Sequence, residues 1–273
     1  MTTDPYYDSA RRPPPQIDEF VQLLRYRDLI SQLMRRDIVT RYKRSALGVA
    51  WTMLNPLGMM LVLSIAFAQV FGATPAYPAY VLSGLIAWNF FGQTTIYAMR
   101  QLMWGGGLLH KIYLPKTVFA VTATGTHLIN LLLALIPLFI VMIVTGVMLQ
   151  ATLVFLPISI LCLGAFTLGL SLLLSSVVVY FPDVAEMYNI ILTAWMYLTP
   201  IIYPEEVIPL AWRWLLFDLN PMYHLIRLFR LPLYNGVLPS FADFLPPFAV
   251  ALVMLTVGWV VFTRRADDLA YRV

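Results

Sequence analysis

Few residues in this chain are of types that carry chemistry, and none falls into a catalytic spacing. The nearest approach to a phosphate-binding loop is Gly105-Gly106-Gly107-Leu108-Leu109-His110-Lys111-Ile112, which lacks the glycine before the lysine and the serine or threonine after it. Such a loop cannot cradle a nucleotide, so the chain is not expected to hydrolyse ATP or to act as an enzyme. There is no His-Glu-x-x-His zinc pattern and no Gly-x-Ser-x-Gly elbow, and His110, His127 and His224 do not show metal-ligand spacing. The single cysteine, Cys162, lies in an apolar stretch and can build neither a disulfide framework nor a cysteine-rich metal site within one chain.

Two constellations have the makings of binding sites. Arg35, Arg36, Arg41, Lys43 and Arg44 lie close before a long apolar run. They read either as a topology anchor or, with Arg41, Lys43 and Arg44, as a point of access for an anionic lipid headgroup or a lipid-linked phosphate. His127 and Asn130 are the main polar exceptions in another apolar run and sit three apart on one helical face. A proton relay or a substrate contact is one reading; a helix-to-helix hydrogen bond is the expected one.

The elements that must position these residues follow from composition. Of 273 residues, 60% are apolar and 12% charged, against roughly half and a quarter in a soluble domain. The 55 residues between Arg44 and Arg100 and the 66 between Lys116 and Asp183 carry no Asp, Glu, Lys or Arg. A bilayer core about 30 Å thick takes roughly 20 helical residues, so each gap holds two crossings and a turn. Residues 187–203 and 244–263 add one each. The expected spans are 47–71, 80–100, 118–145, 152–179, 187–203 and 244–263. An even number puts both termini on one side. Fifteen of the 18 Lys and Arg lie on that side and only Arg213, Arg227 and Arg230 on the other, so the termini are expected in the cytoplasm. The Met-Thr-Thr-Asp start has no basic leader and no compact apolar core, so no cleaved signal peptide is expected.

Three further segments have their own character. Residues 1–16, with Pro13-Pro14-Pro15, read as a loosely ordered arm that is not helical. Residues 17–45 read as an amphipathic helix lying in the membrane interface and a basic approach to the first span. Residues 46–273 form the spanning domain with a short cytoplasmic tail. Within it, Leu108, Leu109, Ile112 and Leu114 lie between breakers in the loop at 101–117, where a short amphipathic helix would suit partner docking. The brief acidic loop around Asp183 is a second candidate contact. Residues 204–243 are too long for a turn and too apolar for a solvated loop, and their prolines cut them into pieces shorter than a crossing. With almost no ionisable residue in its spans, the chain shows no sign of coupling to a proton or sodium gradient, and a second polypeptide must supply the energy for any uphill movement.

Several stretches together resemble the membrane subunits of ABC transporters that export polysaccharides, the family of O-antigen, capsule, teichoic acid and galactan exporters. They are Arg36-Asp37-Ile38 with Arg41-Tyr42-Lys43-Arg44-Ser45, Leu47-Gly48, Trp51 and Pro56; then Lys111-Ile112-Tyr113-Leu114-Pro115-Lys116; then Tyr180-Phe181-Pro182-Asp183-Val184; then Thr199-Pro200-Ile201-Ile202-Tyr203-Pro204; then Asn220-Pro221-Met222. They cover nearly all the chain from about residue 20. Pro182 departs from the pattern, since such permeases often carry a basic residue there.

The resemblance implies an all-α integral membrane protein with six transmembrane helices, an N-terminal interface helix, a cytoplasmic coupling helix and re-entrant gate helices between the last two spans. It implies a homodimer in the bacterial inner membrane, bound to two copies of a separate ATPase that carries the ATP and magnesium, with no cofactor on this chain and no nucleic-acid partner. Leu108, Leu109, Lys111, Ile112, Lys116 and Asp183 would couple to the ATPase. Arg41, Lys43 and Arg44 would meet the diphosphate of a polyprenyl-linked polymer. Phe67, Phe71, Tyr80, Trp88, Trp195, Tyr197 and Tyr203 would line the polymer's path, where aromatic faces hold sugar C–H faces weakly; the alternative for each ring is the ordinary interfacial belt. Rival functions are a drug or small-lipid exporter of the same kind, or a membrane assembly factor that handles the lipid-linked sugar without moving it.

Overall fold

The computed structural model describes residues 14–104, apart from 44, 46, 49, 72, 73 and 75, and residues 114–272. Every regular element among them is helical. The main helices are α1 (Pro15–Arg25), α2 (Arg27–Tyr42), α3 (Ala50–Ala66), α4 (Tyr77–Trp104), α5 (Thr117–Val144), α6 (Leu156–Val178), α7 (Val184–Leu198), α8 (Pro221–Arg230) and α9 (Phe241–Arg272).

The segment expected to be one interface helix holds two helices. Helix α1 starts at Pro15, whose fixed φ and missing N–H suit a first helical turn, so helix begins two residues inside the segment expected to be an arm. It ends at Tyr26, and α2 begins one residue later. The break shifts the phase of the apolar residues over 17–34, because two helices have two faces. Phe20 of α1 meets Trp259 of α9 edge-on at 6.3 Å, and the Trp259 indole donates to the Gln16 carbonyl. Ile30 and Leu33 of α2 are buried with Val118 at the start of α5. Asp37 is buried, pairs with Arg36 at 2.9 Å and accepts from Gln101 Nε2 at 2.9 Å, which ties α2 to the end of α4.

Three helical stretches, Thr117–Val144, Ala151–Val178 and Phe241–Arg265, are long and apolar enough to cross a membrane; Ala50–Ala66 is apolar but shorter. Helix α4 has the length, at 28 residues, but carries Asn89, Gln93, Thr94, Thr95 and Arg100 along it. Helix α7 has 15 residues and continues through Thr199 and Pro200 as irregular chain.

The core lies between α4, α5 and α6, where Phe91, Leu138, Leu163 and Phe166 are fully enclosed. Helices α6 and α9 cross at glycine: a Cβ on Gly258 would collide with the carbonyl of Gly169, and one on Gly169 with the backbone at Met254 and Leu255. Small residues are what let two backbones approach so closely. By contrast α3 and α7 leave broad apolar faces uncovered, including Leu61, Val62 and Ile65 on the first and Met187, Ile190 and Ile191 on the second.

Between α7 and α9 the chain splits in two. Leu210–Arg213 and a π-helical turn at Trp214–Asp218 leave Leu210, Trp212, Trp214 and Leu219 exposed. Helix α8 is the reverse, with Met222, Leu225, Ile226, Leu228 and Phe229 buried. The segment expected to be cut into pieces shorter than a crossing thus consists of one exposed piece and one enclosed piece.

Candidate functional site

Helix α2 ends at Tyr42, and its last turn presents Arg41 beside α4 and α5. The Arg41 guanidinium lies 3.4 Å from His127 Nε2 and 5.8 Å from the centre of the Tyr97 ring. His127 Nδ1 is 2.9 Å from the carbonyl of Ala123 one turn earlier. A carbonyl only accepts, so Nδ1 carries the proton and donates. Nε2 is left with its lone pair facing a guanidinium that only donates. The histidine is therefore an acceptor that aims an arginine, with the Tyr97 ring adding cation–π attraction.

Behind Arg41 lies a cavity of about 320 Å³ between α2, α3, α4 and α5. Its polar lining is Arg41, Ser45, Thr52, Asn55, Asn89, Gln93, His127 and Asn130, with Trp51, Phe90 and Ile86 among the apolar walls. Asn130 Oδ1 is enclosed and has no hydrogen-bond partner among the described residues. Enclosing such an atom without a donor costs free energy. The expected helix-to-helix bond is thus made by His127, through Arg41, and not by Asn130 Oδ1. Sequence reasoning passed over Asn55, Asn89 and Gln93. Asn89 and Gln93 are four apart on one face of α4, and that spacing of two carboxamides in an uncharged run was the available signal.

A second, larger cavity of about 730 Å³ opens at the other end of the helices, among Thr74, Tyr80, Gln150, Glu205, Glu206, Arg227 and Tyr234. Its wall is organised by Arg230, which is buried yet makes none of the ion pairs found among the described residues. Its guanidinium donates to the carbonyls of Pro200 at 2.6 Å, Ile201 at 3.0 Å and Tyr80 at 3.1 Å, and to Ser83 Oγ at 3.3 Å. It also lies 3.8 Å from the centre of the Tyr80 ring. Gly84 makes room, since a Cβ there would strike the guanidinium. Arg230 so clamps α8 to α4 and to the Thr199-Pro200-Ile201 turn. Asn220 holds the other end of α8: its Oδ1 accepts from the N–H groups of Met222 and Tyr223 and from Trp195 Nε1 at 2.8 Å, while Nδ2 donates to Thr199 Oγ1 at 3.0 Å. The Thr-Pro-Ile and Asn-Pro-Met stretches are therefore two halves of one joint.

The remaining expected site residues scatter. Leu108, Leu109, Lys111, Ile112 and Arg44 lie outside the described residues. Lys43 and Asp183 are exposed, and Lys116 is buried just before α5. Trp88 is buried, edge-on to Phe91 and Trp195. Tyr80 is buried, its hydroxyl donating to the carbonyls of Pro200 and Tyr203. Phe67 and Phe71 stack at 5.6 Å against the core, Tyr203 donates to the carbonyl of Tyr197, and Tyr197 is exposed.

The described residues thus form a helical bundle with three stretches long and apolar enough to cross a membrane, a polar cavity near the end of a basic helix and an enclosed short helix, α8, the features of a membrane protein. Residues 28–234 match the ABC-2 type transporter family, and the chain belongs to it. It is similar to the O-antigen export system permease protein RfbA of Myxococcus xanthus, at 30% identity over 251 residues, 91% of this chain and 96% of the relative. A protein of the same name from Klebsiella pneumoniae is 25% identical over 87% of this chain and 92% of its own length. The polysialic acid transport protein KpsM of Escherichia coli is 23% identical over 87% and 93%.

Proposed function

We propose that this chain is the permease subunit of an ATP-driven exporter of lipid-linked polysaccharide in a bacterial cytoplasmic membrane. The similarity to an O-antigen export permease over nearly the full length of both proteins carries this reading. The sequence's charge-free gaps and the bounds of α3, α4, α5, α6, α7 and α9 support six crossings with both termini in the cytoplasm. In this reading two copies associate, and the uncovered apolar faces of α3 and α7 meet lipid or the second copy. Two copies of a separate ATPase dock on the loop at 105–116, through Leu108, Leu109, Lys111, Ile112 and Lys116, with Asp183 in the other cytoplasmic loop as a second contact. Arg41, Lys43 and Arg44 meet the diphosphate of a polyprenyl carrier at the cytoplasmic leaflet, and Arg41 is held ready by His127. Helix α8 and the exposed piece before it act as a gate on the outer side.

The test is purification of the chain with the ATPase encoded beside it, followed by Leu109→Asp with Ile112→Asp. Loss of copurification and loss of surface polysaccharide are the expected results. Retained binding and retained export would count against coupling through this loop, and normal surface glycan in a strain depleted of the protein would count against the function.

A further inference from the structure

We infer that Asp37 and Glu19 are positioning residues that make helix α2, and Arg41 at its end, follow the loop at 105–116. This rests on the proposed docking of an ATPase on that loop and adds the route by which a push there reaches Arg41. The chain enters that loop from the end of α4 and leaves it at the start of α5. Each of the two stems is held by one carboxylate from the α1–α2 pair. Asp37 Oδ2 accepts from Nε2 of Gln101, in the last turn of α4, at 2.9 Å. Glu19 Oε1 accepts from the backbone N–H and the hydroxyl of Thr117, the first residue of α5. A hydrogen bond fixes distance and direction, which apolar contact does not. Asp37 is buried and its other oxygen accepts from Arg36, so the side chain is not free to swing away from Gln101.

The clasp at Asp37 is the first of two rungs. Asp37 and Arg41 lie four apart on α2, and Tyr97 and Gln101 lie four apart on α4, so each pair shares a helical face. Asp37 meets Gln101, and the Arg41 guanidinium lies over the Tyr97 ring, so the two helices run antiparallel and touch on successive turns. Arg41 is about 6 Å beyond Asp37 along the axis, at about 1.5 Å per residue. On its other side α2 is seated on α5. Ile30 and Leu33 are buried with Val118, a Cβ on Gly125 would strike the Met34 sulfur, and Arg41 reaches His127. A regular helix held at both stems is a rigid element, so a shift of the stems is passed along α2 to Arg41.

The experiment uses the full permease with its ATPase in nanodiscs. Cys162→Ala removes the single native thiol, and Val39→Cys places a fluorescent label on an exposed position of α2 between Asp37 and Arg41. Trapping the ATPase with ATP and vanadate should change the label's emission. Asp37→Ala combined with Glu19→Ala should reduce that change, and the surface polysaccharide made by cells, about tenfold, a usual size for coupling between two sites. The ATPase should still copurify and hydrolyse ATP. Asp37→Asn combined with Glu19→Gln keeps an acceptor oxygen at each place and should restore both readouts. Melting temperature checks folding, and Gln101→Leu, which removes the first clasp from the α4 side, stands in for a double variant that does not fold. An emission that ignores trapping, readouts unmoved by the alanine changes, or a loss that Asn and Gln do not restore overturns the inference and leaves the proposed function standing. Loss of copurification in the alanine variant would assign both carboxylates to the shape of the docking surface and likewise overturn it. Failure of the permease with Asp37 and Glu19 intact to bind the ATPase counts against the proposed function itself.

Discussion

Glu19 of α1 caps a helix that begins 98 residues further along the chain: its carboxylate accepts from the backbone N–H of Thr117 at 3.2 Å and from the Thr117 hydroxyl at 3.0 Å. The first N–H groups of a helix have no partner inside it, and here a side chain from another element satisfies one. Thr117 follows the loop proposed to meet the ATPase. Helix α1 is thereby fastened to the place where that loop rejoins the bundle.

Burial raises the Glu19 carboxyl above its ordinary value of 4.5, against the lowering effect of the Thr117 hydrogen bonds. A raised folded-state pKa favours the protonated form in the fold. Its contribution to stability is complete below the ordinary value and is lost as pH rises through the raised one. Helix α1 should therefore hold more tightly near about pH 4 than near about pH 7. Glu19→Gln, which keeps the acceptor without the charge, should hold alike at both, and Glu19→Ala should loosen α1 by about 1 kcal/mol. Hydrogen exchange over residues 15–25, corrected for intrinsic rates, measures all three.

Arg230 satisfies carbonyls that would otherwise be buried without partners. Arg230→Met should cost about 3 kcal/mol or more, in the range for loss of charged hydrogen bonds. Gly84→Ala should act on the same contact by pushing the guanidinium aside. The two changes combined should cost less than their sum, because they remove one interaction. Thermal unfolding in detergent tests this, and full additivity would mean the clamp is misread.

Asn220→Ala should lower stability by about 1 kcal/mol for the lost cap. It should also shift the indole N–H resonance of Trp195, whose hydrogen bond ends on the same oxygen. Asn220→Asp keeps that oxygen and should leave the resonance nearly in place, while giving up the bond to Thr199.

The glycines offer an internal contrast. Gly258→Ala should destabilise by about 1–3 kcal/mol, as overpacking does, because the added methyl meets the Gly169 carbonyl. Gly164→Ala adds the same methyl on α6 into open space and should be neutral, or stabilising by up to about 1 kcal/mol. Chemical denaturation of both variants decides it.

Helix bounds were legible because the absence of charge marks them: the segment expected at 118–145 is Thr117–Val144, and that at 152–179 is Ala151–Val178. Arg41 was legible as part of a basic cluster before an apolar run. Its tie to His127 was not, since 86 residues separate them and only the packing of α2 against α5 joins them. Arg230 read only as one of three basic residues on the sparsely charged side. Nothing local to it signals burial, because the space it occupies is left by Gly84, 146 positions away in the chain. Asn130 was seen, but that its acceptor finds no donor among the described residues is a property of its neighbours and not of its type.

The glycine contact between α6 and α9 carries a mechanical meaning. Two backbones seated this closely cannot roll or slide past one another without driving side chains into carbonyls, so the pair behaves as one thick strut. A change of shape in the bundle would then carry α6 and α9 together as one body.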